Sequence, residues 1–128
     1  MLKKPIPKTT NLFGPQPSGE KTEQFISILR RPGFKLEYIV SHGQASEPGF
    51  WYDQDDAEWV LLVRGHAVLE FENHESSQLK AGDYLLIPAR CKHRITSCSD
   101  DAVWLTLHFP DPQPLPLSTP DNKIIREF

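Results

Sequence analysis

Short apolar segments separated by turn residues run through the middle of the chain. Six such segments can be recognised in the sequence: residues 34–40, 58–63, 66–72, 84–87, 93–99 and 102–109. Most of them alternate apolar with polar side chains, which is typical of strands buried on one face, and EWVLLV at residues 58–63 is apolar enough for a strand buried on both. This pattern predicts an all-β sandwich or barrel of antiparallel strands, without helical crossovers.

The segment TEQFISILR, residues 22–30, can be interpreted in two ways. Phe25, Ile28 and Leu29 fall on one face of a helix, and the Pro32-Gly33 pair that follows would end it. The same residues could form one more strand. We therefore predict a short N-terminal helix here, with a strand as the alternative.

Prolines delimit the folded part of the chain. Nine of the twelve prolines lie in two terminal stretches, residues 5–17 and 110–120, where they exclude a regular central strand or a continuous helix. We predict an N-terminal arm over residues 1–19, one domain over residues 20–110 and a Pro-rich tail over residues 111–128. The tail ends in NKIIREF, whose apolar residues would dock on the domain or on a second subunit.

Composition excludes several classes of partner. The formal net charge is −3, and the chain lacks the clustered Lys and Arg with which proteins bind nucleic acid. No apolar run approaches the roughly 18 residues of a membrane span. The N-terminus has basic residues with no apolar stretch behind them, unlike a secretory signal. We therefore predict a cytoplasmic protein without a nucleic-acid or membrane partner.

The two cysteines, Cys91 and Cys98, are predicted to be free thiols. If the residues between them are extended, their Cα atoms lie roughly 23 Å apart, whereas a disulfide needs less than about 7 Å. A reactive Cys91 is the alternative, because Lys92 and His93 beside it would favour the thiolate.

Two segments resemble the sequence motifs of the cupin family. In AGDYLLIPARCKH, residues 81–93, the spacing of Gly82, Pro88 and His93 is similar to that of the second cupin motif. In EWVLLVRG, residues 58–65, a glutamate precedes a glycine as at the end of the first motif, and sixteen residues separate the two segments. The resemblance implies an antiparallel jelly-roll barrel with a metal ion near one mouth. With the strand pattern it predicts an interior that includes six residues: Val60, Leu62, Leu69, Phe71, Tyr84 and Leu86.

The resemblance also implies a set of metal ligands. Typical cupins bind the ion through two histidines and a glutamate of the first motif and a histidine of the second. Glu58 and His93 occupy the last two of these positions. Other residues take the places of the first two histidines: Tyr52 and Gln54 in the commoner family spacing, Trp51 and Asp53 in the spacing with one more residue.

The acidic stretch before residue 58 bears on this choice of spacing. If residues 52–58 form a regular strand with Glu58 pointing inward, the two-residue period also turns Asp56, Gln54 and Tyr52 inward. Asp53 and Asp55 then face outward as part of a solvated rim. A bulge would instead swing Asp53 into the barrel.

A third protein ligand would have to complete the site. In WLTLHF, residues 104–109, alternation places Trp104, Thr106 and His108 on one face, so His108 is a candidate beside Gln54, Asp53 and Tyr52. Imidazole, carboxylate and amide or phenol oxygen form a mixed set suited to zinc, iron, manganese or nickel.

Two classes of function follow from this chemistry. One is a small metal-dependent enzyme of oxygenase, isomerase or lyase type, acting on a small molecule. The other is a non-catalytic barrel that binds a small ligand without a metal. In both cases we predict a homodimer, because exposed sheet edges and the apolar end of the tail need covering.

Overall fold

The computed structural model describes residues 5–14 and 22–111. Within these ranges the chain forms eight strands: β1 (Gln24–Arg31), β2 (Phe34–Val40), β3 (Asp56–Arg64), β4 (His66–Phe71), β5 (Ser76–Lys80), β6 (Tyr84–Ile87), β7 (His93–Cys98) and β8 (Val103–Pro110). All pairings are antiparallel, and they build a five-stranded sheet of order β1-β2-β8-β3-β6 and a three-stranded sheet of order β5-β4-β7. The predicted antiparallel jelly roll is confirmed.

The core lies between the two sheets. Its buried members come from both of them and form one cluster: Val60, Leu62, Ala67, Leu69, Leu79, Ile87, Ala102 and Trp104. Three of the predicted interior residues, Val60, Leu62 and Leu69, are buried, and Phe71 packs against the cluster.

The prediction was wrong for β6. Leu85 and Ile87 face the core, whereas Tyr84 is 67% exposed. The four residues of β6 are all apolar, so no polar residue marks its outer face. Pairing with β3 sets the face instead, because Val60 lies opposite Leu85 and directly opposed residues share a side of the sheet.

The predicted N-terminal helix is also wrong, and the alternative strand is what the structure shows. β1 pairs with β2 from Gln24 opposite Val40 to Arg31 opposite Phe34, with a bulge between Ser27 and Leu29. A bulge adds a residue to one strand and interrupts the two-residue period. The apolar residues of this segment therefore lost the alternation that would have identified a strand.

An apolar surface covers the side of the five-stranded sheet that faces away from the core. Directly opposed residues on β2, β8, β3 and β6 form two rows across it: Leu36, Leu107, Trp59 and Leu86 in one, and Tyr38, Leu105, Leu61 and Tyr84 in the other. We call these eight residues the outer face. Each is at least partly exposed, and the Trp59 and Tyr84 rings are in contact, with centroids 5.7 Å apart.

Three of the sequence predictions are not tested by the fold. Residues 112–128, with the apolar NKIIREF end, lie outside the described residues. The domain boundaries and the cytoplasmic location stay predictions. In the described part of the chain, no helix is long and apolar enough to cross a membrane.

Candidate functional site

A cavity of about 350 Å³ opens between the two sheets. Part of its wall is the apolar core itself, through Val60, Leu69, Ile87 and Trp104. Polar side chains from both predicted motifs and from β8 also line it: Tyr52, Gln54, Glu58, His93, Thr106 and His108. Five of the six predicted site residues therefore share one cavity.

Glu58 lies at the centre of the polar side chains. It is on β3, directly opposite His108 on β8, and its Oε2 is 3.3 Å from His108 Nε2. Its Oε1 is 3.4 Å from Nε2 of His93, which begins β7 in the other sheet. All three side chains are nearly removed from solvent, with 12% of Glu58, 6% of His93 and 12% of His108 exposed. The jelly roll thus brings the two motifs and β8 together at one carboxylate.

The contacts of His93 define which ring nitrogen carries hydrogen. Its Nδ1 is 2.8 Å from the carbonyl oxygen of Cys91. Because a carbonyl oxygen can only accept, we assign the hydrogen to Nδ1, and Nε2 of the neutral ring then presents a lone pair. That lone pair faces another acceptor, Glu58 Oε1. Two buried acceptors in contact need a positive charge, either a proton on Nε2 or a metal ion between them.

Tyr52 and Gln54 occupy the positions of the two missing family histidines. Tyr52 exchanges backbone hydrogen bonds with His93, and the two rings stack with centroids 5.5 Å apart. Burial raises the pKa of the Tyr52 phenol, and the negative charges of Glu23 and Glu58 raise it further. Gln54 Oε1 is buried and has no hydrogen-bond partner among the described residues. A buried amide oxygen in that state is a free acceptor aimed at whatever fills the cavity.

The residues of the alternative spacing point elsewhere. Trp51 lies under the guanidinium of Arg94, 4.7 Å from ring centroid to Cζ. Asp53 forms an ion pair with Arg90 at 3.3 Å and does not line the cavity. Asp56, which the two-residue period was predicted to turn inward with Glu58, is the first residue of β3 and is exposed.

Arg90 is a site residue that sequence reasoning missed. Its guanidinium contacts Asp53 and also Asp55, at 2.9 Å, and its backbone N–H donates to the Gln54 carbonyl at 2.7 Å. Its φ of 62° lies in the left-handed region, which bulky residues rarely adopt. Arg90 therefore ties the acidic stretch to the loop that carries His93. The signal available in the sequence was a lone arginine within the second motif and two aspartates spaced two apart.

Three more charged residues line the cavity and were not predicted. Glu23 accepts a hydrogen bond from Ser41 Oγ at 2.8 Å, and Lys35 Nζ lies 3.8 Å from Glu37 Oε2. All sit before residue 40, outside both motifs. Lys35 and Glu37 face inward through the register of β2 on β8, and Glu23 lies just before β1.

The cysteines behave as structural residues. Cys91 and Cys98 are both free thiols, as predicted. Burial raises the pKa of the Cys91 thiol, and burial has the same effect on Cys98. The alternative of a reactive Cys91 finds no support, since a reactive cysteine requires a lowered pKa.

The donor chemistry of the site suits a divalent transition metal. Donor atoms around a tetrahedral ion with bonds of about 2.1 Å lie roughly 3.4 Å apart, close to the separations of Glu58 from His93 and His108. Glu58 turns a different oxygen to each imidazole, however. Among the described residues, no group of three or more His, Cys, Asp or Glu side chains is arranged so that it could hold a metal ion.

The fold and the paired motifs define an antiparallel barrel with a polar site inside one mouth. The family model of the cupin domain matches residues 37–108, more than half of the chain. This protein therefore belongs to the cupin family. A search of curated proteins gives no match.

Solved structures support the same family. A crystal structure named "putative mannose-6-phosphate isomerase" from Ralstonia eutropha JMP134 is 43% identical, with a TM-score of 0.76 over 81% of this chain and 99% of that one. A cupin superfamily protein from Desulfitobacterium hafniense DCB-2 is 17% identical, with a TM-score of 0.63 over 73% of this chain and 83% of that one. KdgF from a Halomonas species is 19% identical, with a TM-score of 0.61 over 73% of this chain and 83% of that one. The latter two share the fold alone.

Proposed function

We propose that this cupin binds a divalent metal ion, zinc, iron, manganese or nickel, together with a small polar molecule in the same cavity. The observation that carries the proposal is the contact of two acceptors, His93 Nε2 and Glu58 Oε1, at 3.4 Å in a buried site. A metal ion between them would replace the repulsion by two bonds. His108 and the unpartnered oxygen of Gln54 would supply further ligands.

The backbone carbonyl that holds His93 supports this assignment. Histidines that bind metals almost always donate their other ring N–H to a carboxylate or a backbone carbonyl, which fixes the ring. Cys91 O fills that role for His93 at 2.8 Å. Tyr52, stacked on the ring, limits its rotation.

The reaction class that we propose is isomerisation. A bound divalent ion would polarise a carbonyl oxygen of the ligand. Glu58, one of whose oxygens would bind the ion, would use the other to accept a proton from the hydroxyl-bearing carbon beside that carbonyl and deliver it to the carbonyl carbon, while the hydroxyl proton passes to the former carbonyl oxygen. This transfer needs no oxidant. The 43% identical Ralstonia protein, which bears the name of a sugar-phosphate isomerase, favours this class over oxygenation.

Metal analysis of protein purified without chelator tests the metal site. We expect about one ion per chain in the unmodified protein and a loss of most of it in His93→Ala and in Glu58→Gln. His66→Ala is the matched control, because His66 is exposed and does not line the cavity. Equal metal content in all three variants, or none in the unmodified protein, would overturn the assignment.

Hydrogen exchange tests the reaction. Proton NMR of aldoses and ketoses incubated with the metal-loaded protein in D2O should show deuterium entering the carbon beside the carbonyl, and Glu58→Gln should abolish it. Metal binding without exchange on any of these sugars would remove isomerisation and leave a metal-containing binding protein.

The alternative is a non-catalytic barrel that binds a small ligand without a metal. The replacement of both first-motif histidines by Tyr52 and Gln54, and the division of the Glu58 oxygens between two rings, favour it. In that case His93 would be protonated and form a buried ion pair with Glu58. Metal-free protein that still binds a ligand would support this version.

We also propose that the protein is a homodimer that associates through the outer face. Eight apolar or aromatic side chains in two rows form a continuous apolar surface larger than scattered exposed residues would give. Tyr84, 67% exposed, lies at one margin of it. Association of two such faces would remove this surface from water.

A further inference from the structure

A second cavity adjoins the first at the turn between β1 and β2. It has a volume of about 300 Å³, and its lining contains three cationic side chains, Arg30, Arg31 and Lys35, together with Asp56 and His108. Lys35 and His108 also line the barrel cavity. The two cavities are therefore neighbours that share a wall, and we call the second one the basic cleft.

The charges of the basic cleft are poorly balanced. Neither Arg30 nor Arg31 forms an ion pair with a carboxylate of the described residues, and the one side-chain hydrogen bond of Arg31 goes to the Arg30 carbonyl. Lys35 has Glu37 as a partner, at 3.8 Å. Asp56 is the single carboxylate in the lining. The cleft thus has an excess of positive charge, in a chain whose net charge is negative.

The strand register places two of these cations directly against each other. Arg30 on β1 lies opposite Lys35 on β2. Like charges on directly opposed residues of an antiparallel pair destabilise the sheet. An anion bound between them would reduce this repulsion.

The same register connects the cleft with the candidate site. Glu58, His108, Lys35 and Arg30 form one row across β3, β8, β2 and β1. At about 4.8 Å between neighbouring strands, the backbone of Lys35 is on the order of 10 Å from that of Glu58. A single small molecule can cover that distance.

The barrel cavity itself is unsuited to an anionic group. Three of its lining residues are carboxylates, Glu23, Glu37 and Glu58, against the one ammonium of Lys35 and the positive charge that the contact of Glu58 with His93 requires. An anion would be repelled there and attracted a few ångströms away in the cleft. A ligand with a neutral end and an anionic end therefore has one favoured orientation.

We propose that the basic cleft binds the oxyanion group, phosphate or carboxylate, of the small molecule whose other end lies beside Glu58 and His93. The placement of that other end rests on the function proposed above, whereas the anion site does not. Arginine is well suited to the anionic end because its planar fork can donate two parallel hydrogen bonds to such a group. The volume of the cleft matches one small group, unlike the extended basic surface that nucleic acid requires.

Binding of inorganic phosphate to chelator-treated protein, measured by calorimetry, tests the cleft without any metal. We expect binding that weakens with salt and that falls about fivefold or more in Arg30→Gln and in Arg31→Gln, since each loses a charged donor. Lys80→Gln is the matched control, because it removes the same charge from β5, outside the cleft. The control should bind phosphate like the unmodified protein.

Thermal unfolding gives a second measurement, which distinguishes a variant that has lost the anion site from one that has lost its fold. Without phosphate, Arg30→Gln should melt no lower than the unmodified protein, since it removes the repulsion with Lys35. Phosphate should raise the Tm of the unmodified protein and of Lys80→Gln, and raise that of Arg30→Gln much less. Parallel titrations with acetate separate a carboxylate site from a phosphate site, because the preferred anion should show the larger effect.

The outcomes separate this proposal from the metal site. Phosphate binding that requires added metal, is abolished by His93→Ala and is unaffected by Arg30→Gln would overturn the anion cleft and leave the metal site standing. Phosphate binding that depends on Arg30 in a protein that never takes up metal would support the anion cleft and overturn the metal site. No detectable binding of either anion at millimolar concentration would also overturn the proposal.

Discussion

Tyr52 and His93 join the two sequence motifs by a pair of reciprocal backbone hydrogen bonds. Tyr52 N–H donates to the His93 carbonyl at 2.7 Å, and His93 N–H donates to the Tyr52 carbonyl at 3.1 Å. The pairing is an isolated bridge at the start of β7, and a third bond extends it, in which Arg90 N–H donates to the Gln54 carbonyl. The segment that precedes β3 is therefore held along the loop that precedes β7, with both site residues at the cavity.

Arg90 should act as a positioning residue for this arrangement. In Arg90→Ala the two ion pairs to Asp53 and Asp55 are lost, and we expect metal affinity, measured by competition with a chromogenic chelator, to fall about tenfold, as for other residues that orient ligands. The Tm should change little, because exposed ion pairs contribute about 0–1 kcal/mol. Arg90→Lys should recover part of the affinity.

Lys92→Ala is the control for Arg90→Ala. Lys92 lies two residues away and also forms an exposed ion pair, but its partner, at 3.8 Å, is Glu72 after β4 and not the acidic stretch before β3. If Lys92→Ala weakened the metal as much as Arg90→Ala, the effect would be one of general charge, and the positioning role would be rejected.

The spacing of the two motifs predicted the fold and much of the candidate site. Glu58 and His93 stand far apart in the chain, yet the motifs placed both in the barrel, and the two-residue period before Glu58 favoured the spacing in which Tyr52 and Gln54 face the cavity. The alternation in β8 placed His108 on the same side as Thr106, and the structure has both in the lining.

What the sequence could not show depends on pairing between distant segments. The facing of Tyr84 and Leu86 is set by the register of β6 on β3, and the helix-like spacing in β1 comes from a bulge that only its pairing with β2 reveals. Arg90 was missed for the same reason, because its partners lie 35 residues earlier in the chain. The local sequence pattern shows that a segment is a strand, whereas its contacts with neighbouring strands determine which of its two faces is buried.

Gly65 of the first motif should be essential for folding stability. Its φ is +88°, and an added Cβ would overlap the Ser99 hydroxyl and lie 3.0 Å from Asp101 Oδ1 and 3.1 Å from the Ala102 Cα. We expect Gly65→Ala to lower the free energy of unfolding by about 2–5 kcal/mol, from backbone strain and overlap together.

Gly82 of the second motif separates these two contributions. Its φ is +95°, but an added Cβ would have nothing within 4 Å. Gly82→Ala should therefore cost about 1–2 kcal/mol, from backbone strain alone. Urea denaturation of both variants measures the difference, and equal losses would show that the crowding at Gly65 is relieved by movement of Ser99.

Tyr52 should titrate at a higher pH than an ordinary tyrosine. Burial, with the nearby charges of Glu23 and Glu58, raises the pKa of its phenol above the ordinary value of 10.0. The folded protein then holds this proton more tightly than the unfolded chain, so stability from this group is complete below pH 10 and is lost as the pH rises beyond it. Phenolate absorbance should show a late component that is missing in Tyr52→Phe. A titration unchanged by Tyr52→Phe would contradict the burial of this phenol.

The outer face should hold two copies of the chain together. Light scattering at micromolar concentration should give twice the chain mass of 14.6 kDa for the unmodified protein. Tyr84→Asp places a charge on the most exposed residue of the outer face, where a carboxylate would have to lose its water in the dimer, and should give the monomer mass. Ile28→Asp is the control, because Ile28 is 46% exposed on β1, outside the outer face. Dissociation by Ile28→Asp but not by Tyr84→Asp would move the interface to the edge of the sheet at β1, and a monomeric unmodified protein would reject the dimer.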